Sequence, residues 1–490
     1  MNHRLISRIL GRLLLLLGGA QLLCLVFVIV DPAAADRSGQ AMGFLASGLV
    51  TAWGAGIMMW HGRGSTGLIL RKEAIAVVGL GWLVCTTFGA LPFMLCEPQL
   101  GVADSLFESV SGFTTTGATV MSDLESCPRG VMMWRCLTQW LGGMGILVLF
   151  VALLTSFRVG SKALFRHESS AKGTSGMSSP MSTVAMRLWQ IYIVLTVVCM
   201  VGLKVLGMSY FDAVCHTFTV VSTGGFGTHD NSVAYFDSVA IEVWLILFMI
   251  LGSISFMLYA HLLQRKWTRW FEDEETKWFL IIVGVVTLAV AADLVMLGKE
   301  ASASHGLRVA VFQVVSIMST TGFTTADFNV WPPLSNVLLL LLMIIGGCAG
   351  STAGGIKLSR WILFFKMVRQ QLVTAFRPNQ ITILKLNGSL VNDSLRLDTM
   401  FFVSLAGVTV LVGTVVVSLL EPALDMDSSV SAVLATLFNI GPGLGAVGPM
   451  QNFEHLTPTT KIFLCMLMAL GRLEFYTILV LFMPSLWRKY

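Results

Sequence analysis

Long apolar runs with almost no charge dominate this sequence of 490 residues. Ten of them lie near residues 13–30, 40–60, 74–95, 136–157, 188–203, 243–260, 278–292, 334–356, 399–420 and 462–487. Uncharged runs of about 18 residues are candidate transmembrane helices. Since 55% of the residues are hydrophobic and only 12% are charged, neither soluble domains nor a disordered chain fits. The sequence therefore predicts an integral, multi-pass membrane protein.

The first run also has features of a secretory signal peptide. Arg4, Arg8 and Arg12 precede it, and three alanines followed by Asp36 resemble a cleavage site. However, its apolar core of about 18 residues exceeds the usual 7–15 residues of a cleaved signal. A second apolar run follows closely, so we favour a retained helical hairpin.

Basic residues concentrate in alternate connections between the runs. Most of the 32 Lys and Arg lie in both tails and in residues 63–72, 158–187, 265–277 and 357–396. Because Lys and Arg mark the cytoplasmic side of a membrane protein, this pattern predicts that both termini are cytoplasmic. The formal net charge of +5 is then mainly a topology signal.

The four outer connections share one pattern. Each contains a short amphiphilic stretch and then a Ser/Thr/Asn-x-Gly turn, which we align on Gly117, Gly224, Gly322 and Gly441. Stretches of about 10–14 residues are too short to cross a bilayer, so they are predicted to be re-entrant helices. Three of them begin with an aspartate, predicted to be a helix N-cap: Asp104, Asp212 and Asp427.

Four such turns around one axis have a physical purpose. The C-terminal end of a re-entrant helix carries a partial negative charge, and the extended residues after it are tolerated where they line a wet cavity. Glycine permits the positive φ that turns backbone carbonyls toward a common axis. Rings of carbonyls replace the hydration shell of a monovalent cation. The repeat therefore predicts a selectivity filter, whereas any single turn would be unremarkable.

These motifs resemble the Trk/Ktr superfamily of potassium transport proteins, most closely its TrkH branch. They are TTTGAT (114–119), STGGF (222–226), STTGFT (319–324), NIGPG (439–443), WLGGMG (140–145) and AGSTAGGIK (349–357). The resemblance covers nearly the whole chain, and the motifs are specific only together. It implies an all-α integral membrane protein in which four span–pore-helix–span pseudo-repeats surround one pore, beside an N-terminal two-helix hairpin.

The resemblance also implies the filter residues. Their backbone carbonyls and glycines would bind K⁺: Thr115, Thr116, Gly117, Ser222, Thr223, Gly224, Thr320, Thr321, Gly322, Asn439, Ile440 and Gly441. Because relatives with serine at the first filter glycine tend toward sodium, Gly117 favours potassium. The fourth turn departs from Thr-Thr-Gly, so the motif supports its carbonyl assignment less strongly than those of the other three turns.

The resemblance also implies a gate, which would lie at two features within the membrane. Five glycines interrupt the 334–377 segment: Gly346, Gly347, Gly350, Gly354 and Gly355. Glycine costs about 1 kcal/mol relative to Ala in a helix, so the segment is either a flexible intramembrane loop or a close helix-packing site. Arg472 lies deep in the last run, where it either pairs with carbonyls of that loop or is a positive barrier in the pore.

The resemblance further implies partners and location. We expect a bacterial inner-membrane protein, a homodimer surrounded by membrane lipid, with a cytoplasmic nucleotide-binding ring similar to TrkA on its basic face. K⁺ would be the transported ion, with no nucleic acid and no nucleotide bound by this chain. The GLGAVG sequence at 443–448 matches G-x-G-x-x-G but lacks a βαβ context. Cys96 and Cys127 could form a disulfide or remain two thiols.

The leading hypothesis is gated potassium uptake through a pore, with no enzymatic activity. The alternative is an alternating-access secondary transporter of a small solute coupled to cations, but that class uses two inverted halves. An enzyme would need a nucleophile or metal set, and the eight histidines are dispersed. The predicted units are a hairpin (1–66) and pore repeats 1 (67–175), 2 (176–270), 3 with the glycine loop (271–378) and 4 (379–490).

Overall fold

The computed structural model describes residues 1–31, 36–65, 71–156, 181–263, 268–300, 302–380 and 383–487. Within these ranges the regular structure is helical apart from one short β-hairpin. The alanines of the predicted cleavage site and most of the basic 158–187 segment lie outside the described residues.

An N-terminal helical hairpin precedes the repeats. It consists of α1 (His3–Val30) and α2 (Arg37–His61). Polar groups join the two helices, since the buried Thr51 donates to Gln21 at 2.9 Å and the partly buried Ser7 donates to the Met58 carbonyl at 2.8 Å. Gln21 also donates to the carbonyl of Phe88 at 3.0 Å, which fixes the hairpin against the first repeat.

Four units of span, short helix and span follow. The first contains α3 (Arg71–Gly89), α4 (Leu91–Leu95), α5 (Val102–Phe113) and α6 (Arg129–Ser156). The second contains α7 (Met181–Val205), α8 (Tyr210–Val221), α9 (Val239–Ser253) and α10 (Phe256–Leu263). The third contains α11 (Thr268–Glu272), α12 (Glu274–Met296), α13 (Ala303–Met318), α14 (Pro333–Ile345) and α15 (Leu358–Phe376). The fourth contains α16 (Asp393–Leu420), α17 (Met426–Leu437), α18 (Pro458–Arg472), α19 (Tyr476–Leu479) and α20 (Pro484–Trp487).

Irregular and extended pieces complete the described chain. Four 3₁₀ turns lie at Ser232–Phe236, Phe328–Val330, Gly445–Val447 and Val480–Phe482. The hairpin between the third and fourth units pairs β1 (Lys385–Leu386) antiparallel to β2 (Ser389–Leu390). The GLGAVG sequence therefore lies around a 3₁₀ turn after α17, and no βαβ unit surrounds it in the described ranges.

Eight candidate spans are present in the part of the chain that the structure describes. Six single helical segments are long and apolar enough to cross a membrane, and two bent pairs qualify when each is taken as one span. The pairs are α9–α10, bent by 95°, and α18–α19, bent by 113°. Both fall in runs predicted as continuous, 243–260 and 462–487. The predicted 334–356 run is also divided, because α14 ends at Ile345.

The short helices α5, α8, α13 and α17 occupy the predicted re-entrant positions, and we call them the pore helices. Three have 12 residues, as predicted, and α13 is longer at 16. The prediction that Asp104, Asp212 and Asp427 are N-caps is wrong, because all three lie within the first helical turn. Ser209 and Asp425 cap α8 and α17 instead.

Candidate functional site

The four pore helices end in the same backbone turn. The residue after each helix C-cap has a left-handed backbone, with φ values of 51°, 53°, 56° and 55° at Thr115, Thr223, Thr320 and Asn439. Two residues later a glycine again has positive φ: Gly117, Gly225, Gly322 and Gly441. Four matching departures from ordinary backbone geometry show that one turn has been repeated four times.

A Schellman-type hydrogen bond closes each turn. The amide two residues after the C-cap donates to the carbonyl five residues earlier, at 2.7 to 2.9 Å, in Thr116–Ser111, Gly224–Thr219, Thr321–Ser316 and Ile440–Ala435. This bond satisfies a carbonyl at the helix end and reverses the chain direction. The usual residue at the left-handed position is glycine, yet threonine or asparagine occupies it here and adds a side-chain oxygen.

The structure corrects the alignment of the second repeat by one residue. Counting from the helix end, the position equivalent to Gly117 is Gly225 rather than Gly224, and Gly224 is equivalent to Thr116. Ser222 is the C-cap of α8, equivalent to Thr114. The other predicted turn residues occupy equivalent positions in their repeats.

The four glycines link the turns into a closed ring. A Cβ added to Gly117 would overlap the carbonyl oxygen of Gly224, and one on Gly225 would overlap that of Thr321. The ring continues from Gly322 to the Ile440 carbonyl. It returns from Gly441 to the Thr116 carbonyl, 2.8 Å from the position of an added Cβ. Each repeat therefore touches the next in the order 1, 2, 3, 4, 1, and no side chain fits at these contacts.

Polar side chains of α6 form hydrogen bonds with the backbone of the second turn. Gln139 donates to the Gly224 carbonyl at 2.7 Å and accepts from the Phe226 amide at 3.1 Å. Arg135, only 1% exposed, pairs with Glu108 and donates to the Gly227 carbonyl at 2.9 Å. A buried ion pair of this kind orients its surroundings, and removing one partner would be costly.

Glycines of the WLGGMG motif allow α6 to approach two turns closely. An added Cβ on Gly142 would overlap the Phe113 carbonyl, and one on Gly143 would lie 2.7 Å from the side chain of Ser222. The motif therefore has a packing function beside the first two repeats, which the sequence alone did not assign.

The predicted glycine interruption is a loop between α14 and α15, residues 346–357, which we call the intramembrane loop. It contacts three pore-helix ends: the Gly354 amide donates to Thr320 Oγ1 at 2.6 Å, and the Gly355 amide donates to the Phe438 carbonyl at 2.9 Å. Thr352 Oγ1 donates to the Val221 carbonyl at 3.1 Å. Positive φ at Gly346, Gly350 and Gly355 permits this path. The helix-packing alternative does not describe this segment, because it is not helical.

Both bent spans break beside this loop. Between α9 and α10, the Ser253 carbonyl accepts from Cys348 at 3.0 Å, and the Phe256 amide donates to Gly350 at 2.9 Å. At the end of α18, Arg472 Nη1 donates to the Thr352 carbonyl at 2.9 Å. The α9–α10 bend thus frees backbone groups that bind the loop, as irregular backbone at membrane depth requires, whereas at the α18–α19 bend the Arg472 side chain binds it.

Arg472 pairs with a carbonyl of the intramembrane loop, which is the first of the two roles that the sequence left open, and its role as a positive barrier in the pore stays a prediction. The residue is 3% exposed and pairs with the loop through Nη1, while its Nε and Nη2 have no hydrogen-bond partner among the described residues. Glu474 does not neutralise it, since Glu474 pairs with Arg360 of α15 at 2.7 Å.

Several residues of this site were not predicted from the sequence. Gly225 could have been found by counting from the helix end, but its neighbour Gly224 fits the motif equally well. Gln139 and Thr352 act through contacts distant in sequence, and no local pattern marks them. All nine cysteines are free in the structure, so Cys96 and Cys127 are two thiols rather than a disulfide.

Re-entrant helices that meet in a ring of turns, inside a bundle of candidate membrane spans, define a multi-pass membrane transport protein. A family model described as "TrkH: Cation transport protein" matches residues 58–489. The chain belongs to this TrkH family. The family confirms the predictions of an all-α membrane protein and of a transporter rather than an enzyme.

Similar proteins cover the full length. The chain is 37% identical to the Trk system potassium uptake protein TrkH of Salmonella typhimurium and 36% identical to that of Escherichia coli K12, with 100% of each chain covered. Its fold matches the crystal structure of the potassium transporter TrkH from Vibrio parahaemolyticus with a TM-score of 0.89 and 32% identity, over 100% of both chains.

Proposed function

We propose that this protein takes up potassium across the bacterial inner membrane through a gated pore whose selectivity filter is the ring of four turns. The observation that carries the proposal is the contact of each filter glycine with the next repeat's carbonyl. It brings backbone oxygens from four repeats together, and such oxygens replace the hydration shell of K⁺. The names of the full-length relatives support the choice of potassium.

The filter residues are those of the sequence hypothesis with the second repeat shifted by one. Carbonyls at the left-handed residue and the residue after it would bind the ion, with Gly225 replacing Gly224 as the closing glycine. The buried Thr115 Oγ1 and Asn439 Oδ1 have no partner among the described residues, so they are available to a cation. Four helix C-termini add partial negative charge.

The intramembrane loop is the proposed gate. It lies against the ends of three pore helices, where a chain segment would obstruct ions leaving the filter, and Arg472 adds a positive charge beside it. Deleting residues 347–354 should raise potassium flux in liposomes, and unchanged flux would exclude this role.

The unit boundaries, orientation and partners remain part of the proposal. The hairpin and four repeats have the boundaries given above, with both termini cytoplasmic, as the distribution of Lys and Arg supports. The chain would act as a homodimer with a nucleotide-binding ring similar to TrkA on its basic inner face. The description of relatives as members of a Trk system supports a partner in general.

The proposed function is tested by potassium-limited growth. Expression should rescue a bacterium deficient in potassium uptake, and Gly117→Asp should abolish rescue because a side chain there overlaps the Gly224 carbonyl. Gly298→Asp is the matched control, since Gly298 also has positive φ but no atom near an added Cβ. Normal uptake by Gly117→Asp at normal membrane abundance would contradict the filter assignment.

A further inference from the structure

The first turn of α12 contacts both the intramembrane loop and the β-hairpin, and the proposed gate does not account for this connection. Three consecutive acidic residues occupy it: Asp273 at the N-cap, Glu274 and Glu275. Asp273 and Glu274 both bind Asn387, Glu275 binds Ala349, and together they join the intramembrane loop to the chain between α15 and α16.

Glu275 binds the intramembrane loop directly. Its carboxylate accepts the amide of Ala349 at 2.7 Å, and the residue is only 8% exposed. A buried amide that loses such an acceptor is left unsatisfied, which is costly. Since Arg472 binds the Thr352 carbonyl three residues further on, side chains from two elements hold the loop.

Asp273 and Glu274 bind the β-hairpin. Asn387 Nδ2 donates to Asp273 Oδ1 at 2.9 Å, and Asn387 Oδ1 accepts the Glu274 amide at 2.8 Å. Lys366 of α15 pairs with the Glu274 carboxylate and also donates to the Lys385 carbonyl at 2.9 Å. The hairpin side of the joint therefore has several independent bonds.

The hairpin is itself anchored on α15. Leu384 and Val391 flank its two strands and form a small buried cluster with Leu363. Its exposed turn contains Asn387 with φ of 48°. By the proposed topology the hairpin lies on the cytoplasmic side, so a displacement of this turn would act on α12 through the Asn387 side chain.

We propose that Asp273, Glu274 and Glu275 form a joint that couples the position of the β-hairpin to that of the intramembrane loop. Glu275 is the positioning residue for the loop. The three residues are consecutive at the start of one helix, within a single turn of about 5.4 Å. We therefore expect them to move together. This inference rests on the proposed role of the loop as a gate, and its contacts link that gate to the cytoplasmic surface.

Cysteine labelling tests the joint separately from ion flux. Cys348 lies in the loop and is fully buried. In the purified full chain in liposomes, with the other eight cysteines replaced by serine or alanine, its reaction rate with a charged methanethiosulfonate reports release of the loop. Potassium flux is measured on the same samples.

Variants remove the bonds of the joint to the loop and to the hairpin separately. Glu275→Ala should raise the Cys348 labelling rate about tenfold, and Glu275→Gln should largely restore the wild-type rate because it keeps an acceptor. Asn387→Gly removes both bonds of Asn387 to α12 and permits the same φ; combined with Lys366→Ala, which removes the bridge from Glu274 to the Lys385 carbonyl, it should raise the rate in the same direction. Asn379→Gly, at an exposed turn residue, is the matched control and should change nothing.

The outcomes separate the joint from the gate. Faster labelling and higher flux in Glu275→Ala and Asn387→Gly/Lys366→Ala support both. Faster labelling with unchanged flux supports the joint and contradicts the gate. A wild-type labelling rate in Asn387→Gly/Lys366→Ala overturns the joint, and these substitutions on the hairpin side remain informative even where Glu275→Ala fails to fold.

Discussion

Asn439 donates from Nδ2 to Oγ1 of Thr116 at 2.9 Å, although 323 residues separate the two in sequence. The same amide donates to the Met468 carbonyl at 3.0 Å. The fourth turn is thereby joined both to the first turn and to α18 of its own repeat. This side-chain bond lies beside the contact between Gly441 and the Thr116 carbonyl, so two interactions close the ring.

Replacing Asn439 with glycine tests this closure. Glycine accepts the left-handed backbone but loses both hydrogen bonds, each worth about 0.5–1.5 kcal/mol. We expect folded protein with a lower K⁺-to-Na⁺ flux ratio, measured in liposomes. An unchanged ratio would show that the backbone contact alone closes the ring.

The register of the second repeat is tested by three alanine variants. Gly225→Ala should abolish potassium uptake, because φ is 77° and an added Cβ overlaps the Thr321 carbonyl. Gly224→Ala should retain part of the uptake, since its added Cβ meets the Gln139 side chain, which can move. Gly227→Ala has room and is the control. A greater loss of potassium uptake in Gly224→Ala than in Gly225→Ala would favour the sequence alignment on Gly224.

Substitutions of Arg472 separate charge from pairing. Arg472→Ala removes both and should raise potassium flux several-fold. Arg472→Gln keeps an N–H donor for Thr352 without the charge. Because two guanidinium nitrogens have no partner in the described chain, we expect Gln to behave like Ala. Wild-type flux in Arg472→Gln would assign the function to the hydrogen bond instead.

The sequence located the four pore helices and turns because helix length and glycine recur at matching positions. It did not resolve Gly224 from Gly225, since adjacent glycines differ only in their count from a helix end. It also missed the bends after Ser253 and Arg472, which depend on the loop that binds there. Glu275 and Gln139 could not be recognised, because their partners are remote and their own surroundings are ordinary helix.

A carboxylate in the connection between α8 and α9 gives a pH-dependent stability. Partial burial and the neighbouring Glu125 raise the pKa of Asp230 from its usual 3.8 to about 6. Its contribution to stability is therefore full below about pH 4 and is lost as pH rises through about 6. Glu125, whose pKa is lowered, partly opposes it.

Asp230→Asn should flatten the dependence of the thermal unfolding midpoint on pH between 4 and 7. Asp237→Asn, at an exposed position of the same connection, is the control. A wild-type pH profile in Asp230→Asn would contradict the assignment to this carboxylate.

Cation-dependent flux of the purified full chain in liposomes tests the central claim most directly, with K⁺, Rb⁺, Na⁺ and Li⁺ compared under the same gradient. The ring of backbone carbonyls predicts faster movement of K⁺ and Rb⁺ than of Na⁺ and Li⁺, and loss of this movement in Gly225→Ala. Equal flux of all four ions, or selectivity unchanged in Gly225→Ala, would contradict the filter.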